Sequence, residues 1–242
     1  IPFCQNKNND IKSGLKREIM LENIKYYFGT SYRRKSLDKL LEQNKHYYKG
    51  IVLDIGGRDR GKFQKPKNKV EKWIFADVEK KYHPDIILDV TNMIKIENGS
   101  INVINATELF EHVLNPEKGL KECYRVLKKN GVIILSMPFL YPIHNDVYDF
   151  QRWTEEKWKR ELGKTGFKIE KFEIMGRYFV FLCDMKKDFI NSLPTLLRRF
   201  CCLLYPLMDF LVKLDEAKFI KNNERLNKYH GGYFIICRKL NI

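Results

Sequence analysis

His112 and His144 are the side chains of this sequence best suited to move a proton near neutral pH. Each lies just past an apolar run that reads as a strand. His112 falls in Glu108-Leu-Phe-Glu-His-Val after Ile101–Asn105, and His144 falls in Tyr141-Pro-Ile-His-Asn-Asp-Val-Tyr-Asp149 after Val132–Pro138. An imidazole there can accept the proton of a hydroxyl nucleophile. Asp146 or Asp149 can orient the His144 ring and raise its basicity. His112 has a second reading, as half of a glutamate–histidine pair that braces its loop. Arg152, in Tyr148-Asp-Phe-Gln-Arg-Trp-Thr, reads either as a ligand for an acidic substrate group or as the ion-pair partner of Asp149, three residues earlier. Glu108, Glu111 and His112 have no spacing that demands a metal, and none is expected.

The second chemical feature is Ile51-Val-Leu-Asp-Ile-Gly-Gly-Arg-Asp-Arg-Gly61. Ile51 to Ile55 reads as a buried parallel strand. Gly56 and Gly57 at its carboxyl end permit a sharp turn and a close ligand approach. A second strand, Trp73 to Asp77, ends on an acid about 20 residues later, where ribose hydroxyls are bound in dinucleotide-type folds. Glycine pair and acid together point to an adenosine-containing ligand.

The elements that must hold these groups follow in order. Residues 1–10 are polar and expected to fray. Two helices precede the sheet, the first carrying Leu15, Ile19, Leu21 and Ile24, the second starting near Ser36 and ending near Gly50. Between Lys62 and Lys72, with Pro66 inside, no long helix is expected. Strands are expected at Asp85–Asp89, Ile101–Asn105, Val132–Pro138, Phe167–Ile174 and Gly232–Lys239. A helix is expected over Pro116–Lys129, capped by Asn115 and closed by Gly131, and another after Thr154, ending at Gly163 or Gly166. The alternation predicts an α/β fold: a doubly wound, mostly parallel seven-stranded sheet with an N-terminal helical segment (1–49), a main domain (50–242) and a helical insertion before the last strand, about 179–229. Its apolar middle, Leu193–Leu214, is interrupted by Arg198, Arg199, Pro206 and Asp209, which excludes a spanning helix. Helices packed over the sheet edge or the pocket are the favoured reading, and an interfacial membrane helix is the alternative.

The 242-residue length suits one large α/β domain. A net charge of +15 permits nucleic acid, an acidic lipid surface or a charged small molecule as partner. The six cysteines form no Cys-x-x-Cys pair and no metal spacing with histidine, the pattern of a reducing compartment. A cytoplasmic location, with peripheral membrane contact as an option, is expected.

In sequence order the pieces resemble the class I S-adenosylmethionine-dependent methyltransferases, most nearly the type 11 branch, over about Ile51 to Ile174. Val52-Leu-Asp-Ile-Gly resembles the first motif, Asp77 the ribose acid, and Asp89-Val-Thr-Asn the loop facing the adenine amino group. Glu108-Leu-Phe-Glu-His-Val resembles the Leu-Glu-His-Val segment. Tyr124-Arg-Val-Leu-Lys-Lys-Asn-Gly resembles the Arg-Val-Leu-Lys-Pro-Gly-Gly turn. The resemblance implies S-adenosylmethionine as cofactor, held by Asp54, Gly56, Gly57, Arg58, Asp77, Val78, Asp89, Val90, Asn105 and Thr107. His144 and His112 are the catalytic candidates, with Asp146, Tyr148 and Arg152 toward the substrate. Arg58 and Arg60 depart from the family's Gly-x-Gly-x-Gly. Either they crowd the cofactor or a guanidinium grips its carboxylate with two prongs. The subset with this loop after the fifth strand points to a sugar or other small-molecule hydroxyl as acceptor. A nucleic-acid methyltransferase is the alternative suggested by charge, although no RNA-binding module or Asn-Pro-Pro-Tyr-like motif is present. A non-catalytic binding protein on the same fold is the third reading.

Overall fold

The computed structural model describes residues 3–58, 61–144 and 148–240, with side chains from Lys16 onward. Two helices, α1 (Phe3–Gly29) and α2 (Tyr32–Gln43), lead into β1 (Gly50–Ile55), β2 (Val70–Asp77), β3 (Ile86–Ile87) and β4 (Ile101–Thr107). Then come α3 (Pro116–Val126), β5 (Leu127–Pro138), α4 (Glu155–Thr165) and β6 (Phe167–Ile174). The insertion forms α5 (Tyr178–Ser192), α6 (Thr195–Cys201), α7 (Tyr205–Lys213) and α8 (Lys218–Lys221), and β7 (Gly232–Lys239) closes the chain. The seven strands form one sheet in the order β3-β2-β1-β4-β5-β7-β6. Only the β5–β7 and β7–β6 pairings are antiparallel.

The central strands β1, β4, β5 and β7 are buried on both sides, so their runs are largely continuous rather than alternating in polarity. Leu53, Ile55, Ile104, Ala106, Ile133 and Leu135 pack on one face with Leu120, Cys123 and Val126 of α3 and Trp158 and Leu162 of α4. Val52, Val103, Val132 and Ile134 pack on the other with Leu37 and Leu41 of α2. Helices on both faces are the doubly wound arrangement the sequence predicted.

Several boundaries differ from expectation. The polar start lies within α1, which begins at Phe3. The second helix starts earlier and stops earlier than expected, with Ser31 accepting from the Arg34 amide at its start and Asn44 closing its end. The third helix stops at Val126, not Lys129, because Leu127 already pairs with Ile101 as the first residue of β5. Asn115 takes the N-cap position without a side-chain bond. Gly166, in the left-handed region at φ +94°, ends α4. As expected, the described residues between β1 and β2 contain no helix.

The inner face of the insertion joins the N-terminal helices in a separate core of Tyr32, Val180, Cys183, Ile190, Tyr205 and Met208, and Val180, Val212 and Asp215 border a cleft beside Glu173 and Ile174 of the edge strand β6. Asp184 on α5 accepts the amides of Tyr32 and Arg33 at 2.6 and 2.9 Å, fixing the first turn of α2.

His230, just before β7, is buried against the Phe139 ring at 4.9 Å. Burial pulls its pKa from 6.5 down to about 4. The folded state therefore holds this imidazole neutral where the unfolded chain protonates it. Stability contributed by this group is full above pH 6.5 and falls as pH drops toward 4. At pH 4.5, His230→Phe should recover roughly 2–3 kcal/mol relative to its effect at pH 7. Urea midpoints at the two pH values measure this, and an equal effect at both would contradict it.

Candidate active site

The carboxyl ends of β1, β2 and β4 open onto one cavity of about 500 Å³. Its wall includes Gly56 and Arg58 after β1, Asp77, Val78 and Glu79 at the end of β2, and Asp89, Val90 and Thr91 after β3. Leu109, His112 and Val113 come from the loop after β4, and Tyr148 and Phe150 from the loop after β5. This is where an open α/β sheet binds ligands.

The glycine pair has two separate causes. Gly56 has φ +68° and turns the backbone into the cavity. At Gly57 a Cβ would lie 1.9 Å from the Asp54 carboxylate, so no other residue fits without displacing that acid.

Asp54 itself faces away from the cavity, and this corrects its expected place among cofactor ligands. Its side chain points to the α2 side of the sheet, where it accepts from Trp73 Nε1 at 2.9 Å and Asn105 Nδ2 at 2.7 Å. Tyr48 in turn donates to Asn105 Oδ1 at 2.8 Å. Asp54 and Asn105 therefore brace the sheet beneath the glycine turn. Gly57 and Thr107 also lie off the cavity wall. Gly56, Arg58, Asp77, Val78, Asp89 and Val90 do line it. Asp77 Oδ1 accepts from the Glu79 amide at 2.8 Å, and Asp89 Oδ1 from the Thr91 amide at 2.8 Å. The Arg58 guanidinium stacks 4.1 Å from the Tyr82 ring centre.

His112 stands in the wall, its Nδ1 2.5 Å from the Tyr148 carbonyl oxygen. His144 lies beyond it, edge-on, with ring centres 5.1 Å apart. Asp149 Oδ2 is 3.3 Å from His144 Nδ1 and also accepts the His144 amide. Hydrogen bonds from Arg152 hold the Asp149 carboxyl below the usual carboxylate range. Of the two acids expected to orient His144, Asp149 does so. Asp146 lies outside the described residues, as does Arg60. Arg152 is committed to Asp149 and does not line the cavity, so its ion-pair reading is the one observed.

The loop after β4 carries features with no local sequence signal. Glu108 has φ +53°, which aims its carboxylate at Arg33 of α2, 2.5 Å away. Ser136 Oγ donates to Glu108 at 2.8 Å. Burial raises the Glu108 pKa, but the Arg33 charge and the hydrogen bonds from Ser136 and Arg33 together outweigh it, and the net shift is downward. Glu111 is fully buried with both carboxylate oxygens lacking a hydrogen-bond partner. Burial, then the Glu108 charge, raise its pKa well above the usual range. Glu111, His112 and His144 offer ligand atoms within 4.8 Å of one another. The sequence predicted no metal site here because His144 is 32 positions from His112 in the chain.

Residues 60–135 match the model of the family described as "Methyltransferase domain", type 11. No curated protein sequence matches the chain. Among solved structures, a SAM-dependent methyltransferase from Archaeoglobus fulgidus aligns with TM-score 0.57 at 16% identity, covering 90% of this chain and 99% of that one. The 4+2 cyclase SpnF aligns with TM-score 0.56 at 15% identity, covering 84% and 81%. Phosphoethanolamine N-methyltransferase 2 of Haemonchus contortus aligns with TM-score 0.52 at 16% identity, covering 90% of this chain and 56% of that one. Over residues 60–135 the chain is thus similar to the type 11 methyltransferases, and its sheet shares the fold of the solved S-adenosylmethionine-dependent methyltransferases.

Proposed function

We propose that this enzyme methylates a hydroxyl of a sugar or another small polar acceptor. The observation that carries the reading is the convergence of two regions on one cavity: Gly56, Arg58 and Asp77 on one wall, and His112, backed by the His144–Asp149 pair, on another.

The wall fits S-adenosylmethionine by donor chemistry. Asp77 supplies a carboxylate for ribose hydroxyls, Asp89 an acceptor for the adenine amino group, and Arg58 a cation for the methionine carboxylate. Leu88, Val90, Leu109 and Val113 supply apolar walls for the adenine. Bound there, the cofactor supplies an electrophilic methyl group. The chain's own tasks are to hold the acceptor in line and to take its proton. His144, oriented by Asp149, accepts the proton, and His112, fixed by the Tyr148 carbonyl, positions the acceptor oxygen. Tyr148 and Phe150, stacked at 5.5 Å and exposed, offer an aromatic platform to the acceptor.

Asp77→Ala should weaken S-adenosylmethionine binding by about 1.5–3 kcal/mol, the range for charged hydrogen bonds. Calorimetry reads this directly, and equal affinities for variant and parent would end the assignment of Asp77. The reaction is tested by supplying isotope-labelled methyl donor with panels of sugars, nucleotide sugars, amines and RNA. Label on a sugar oxygen supports the reading, and label only on nitrogen or on RNA replaces it.

The Glu111–His112–His144 cluster favours a second reading of the same step, in which a divalent cation binds and acidifies the acceptor hydroxyl. Turnover unchanged by a chelator keeps the histidine base. Turnover lost to the chelator and restored by magnesium or manganese assigns the step to the cation.

A further inference from the structure

The insertion carries an apolar face that remains exposed among the described residues. Leu196, Leu197, Phe200, Leu203, Leu207 and Phe210 are 53–77% exposed. Positions 196, 200, 203, 207 and 210 follow helical spacing and form one stripe along α6, the turn after it, and α7. The opposite stripe is already satisfied, because Tyr205 and Met208 pack with Tyr32, Val180 and Cys183. α6 has no buried residue at all. A seven-residue helix has little stability of its own, and the observed packing gives α6 almost none.

The charges on this segment are sorted by direction. The one acid within α6 and α7, Asp209, turns inward and accepts from the hydroxyls of Tyr27 and Tyr32. Beyond α7, Asp215 accepts the amides of Arg177, Phe179 and Val180, and Glu216 is exposed and pairs with Lys221. Arg198, Arg199 and Lys213 are exposed. Arg198 and Arg199 line an open groove with Lys25, Ile24 and Phe28 of α1. Outward, α6 and α7 therefore show large apolar side chains and positive charge only.

We propose that α6 and α7 lie in the interface of an anionic lipid bilayer, with this stripe among the acyl chains and the arginines at the headgroups. Apolar bulk flanked by cations is the pattern of helices that rest on membranes, and anionic headgroups complement both the local arginines and the net charge of +15. A second copy is the poorer occupant, since a two-fold contact would set Arg198 and Arg199 against their own images. No described helix is long and apolar enough to cross a membrane, so the contact is peripheral. The inference is independent of the acceptor proposed above.

The test is co-sedimentation of the full chain with phosphatidylcholine vesicles, alone or with about a third phosphatidylglycerol. Binding should be about tenfold or more stronger to the anionic vesicles. The Phe200→Asp/Leu203→Asp variant should lose about tenfold or more of that binding, while calorimetric affinity for S-adenosylmethionine and the thermal midpoint stay at parent values. Arg198→Ser/Arg199→Ser should lose the preference for anionic lipid. Failure of the parent to sediment with either vesicle would overturn the proposal. So would a parent dimer, seen by analytical ultracentrifugation, that Phe200→Asp/Leu203→Asp converts to monomer without changing vesicle binding.

Discussion

His144→Ala is expected to lower turnover by about 10²–10⁴-fold, the contribution of a general base, and to leave cofactor affinity nearly unchanged. The expectation follows from position. His144 does not line the cavity with Gly56, Arg58 and Asp77, and reaches its wall through the His112 ring. It stands beyond His112, and the Asp149 carboxylate beside its Nδ1 stabilises the imidazolium that forms on proton transfer. Asp149→Asn removes that charge and keeps the shape, so it should lose part of the same factor. His112→Ala should cost less in turnover and should also weaken cofactor binding, because His112 is part of the wall. Single-turnover measurements separate chemistry from release, and full activity in His144→Ala would remove it from the mechanism.

Glu108→Ala is expected to cost about 3–5 kcal/mol of stability, the range for breaking one side of a buried ion pair. Arg33 is 5% exposed, and Glu108 is its carboxylate partner, 2.5 Å away. Removing the acid leaves the guanidinium buried against Tyr141, whose ring centre is 4.2 Å away, with its charge uncompensated. Ser136 loses its acceptor as well. Glu108→Gln keeps the shape and the Ser136 bond and should lose less. In the Arg33→Met/Glu108→Ala double variant much of the loss should return, since no charge remains buried. Urea unfolding of the four proteins measures the cycle. Additive losses would show that the pair is not coupled and that the fold tolerates either charge alone.

The architecture was legible in the sequence where a strand is bounded by its own chemistry. Phe167–Ile174 and Gly232–Lys239 fall where they were expected, each following a glycine, the first alternating in polarity as an edge strand and the second a run of buried residues. The candidate site was legible only as far as its loops. Gly56, Asp77, Asp89 and the two histidines all lie at strand ends, and topology alone carries them to one edge of the sheet. Which way a side chain faces was not legible. Asp54 sits between Leu53 and Ile55 in sequence but on the opposite face, so nearness to the glycines gave no information about the cavity. Arg33 and Glu108 are 75 positions apart, and no periodicity links them. An apolar stripe such as Leu196 to Phe210 has the same pattern whether it meets a core or a bilayer. Only its exposure distinguishes the two.

We place the cofactor in the cavity at the ends of β1, β2 and β4. Hydrogen exchange with and without S-adenosylhomocysteine, read by mass spectrometry, tests it most directly, because a bound ligand slows the opening of the segments it contacts. Exchange should slow in peptides spanning Ile55–Arg58, Asp77–Glu79, Leu88–Thr91 and Leu109–Val113, with Leu193–Lys213 unchanged. Slowing confined to the insertion, or no slowing at a saturating ligand concentration, would contradict that placement.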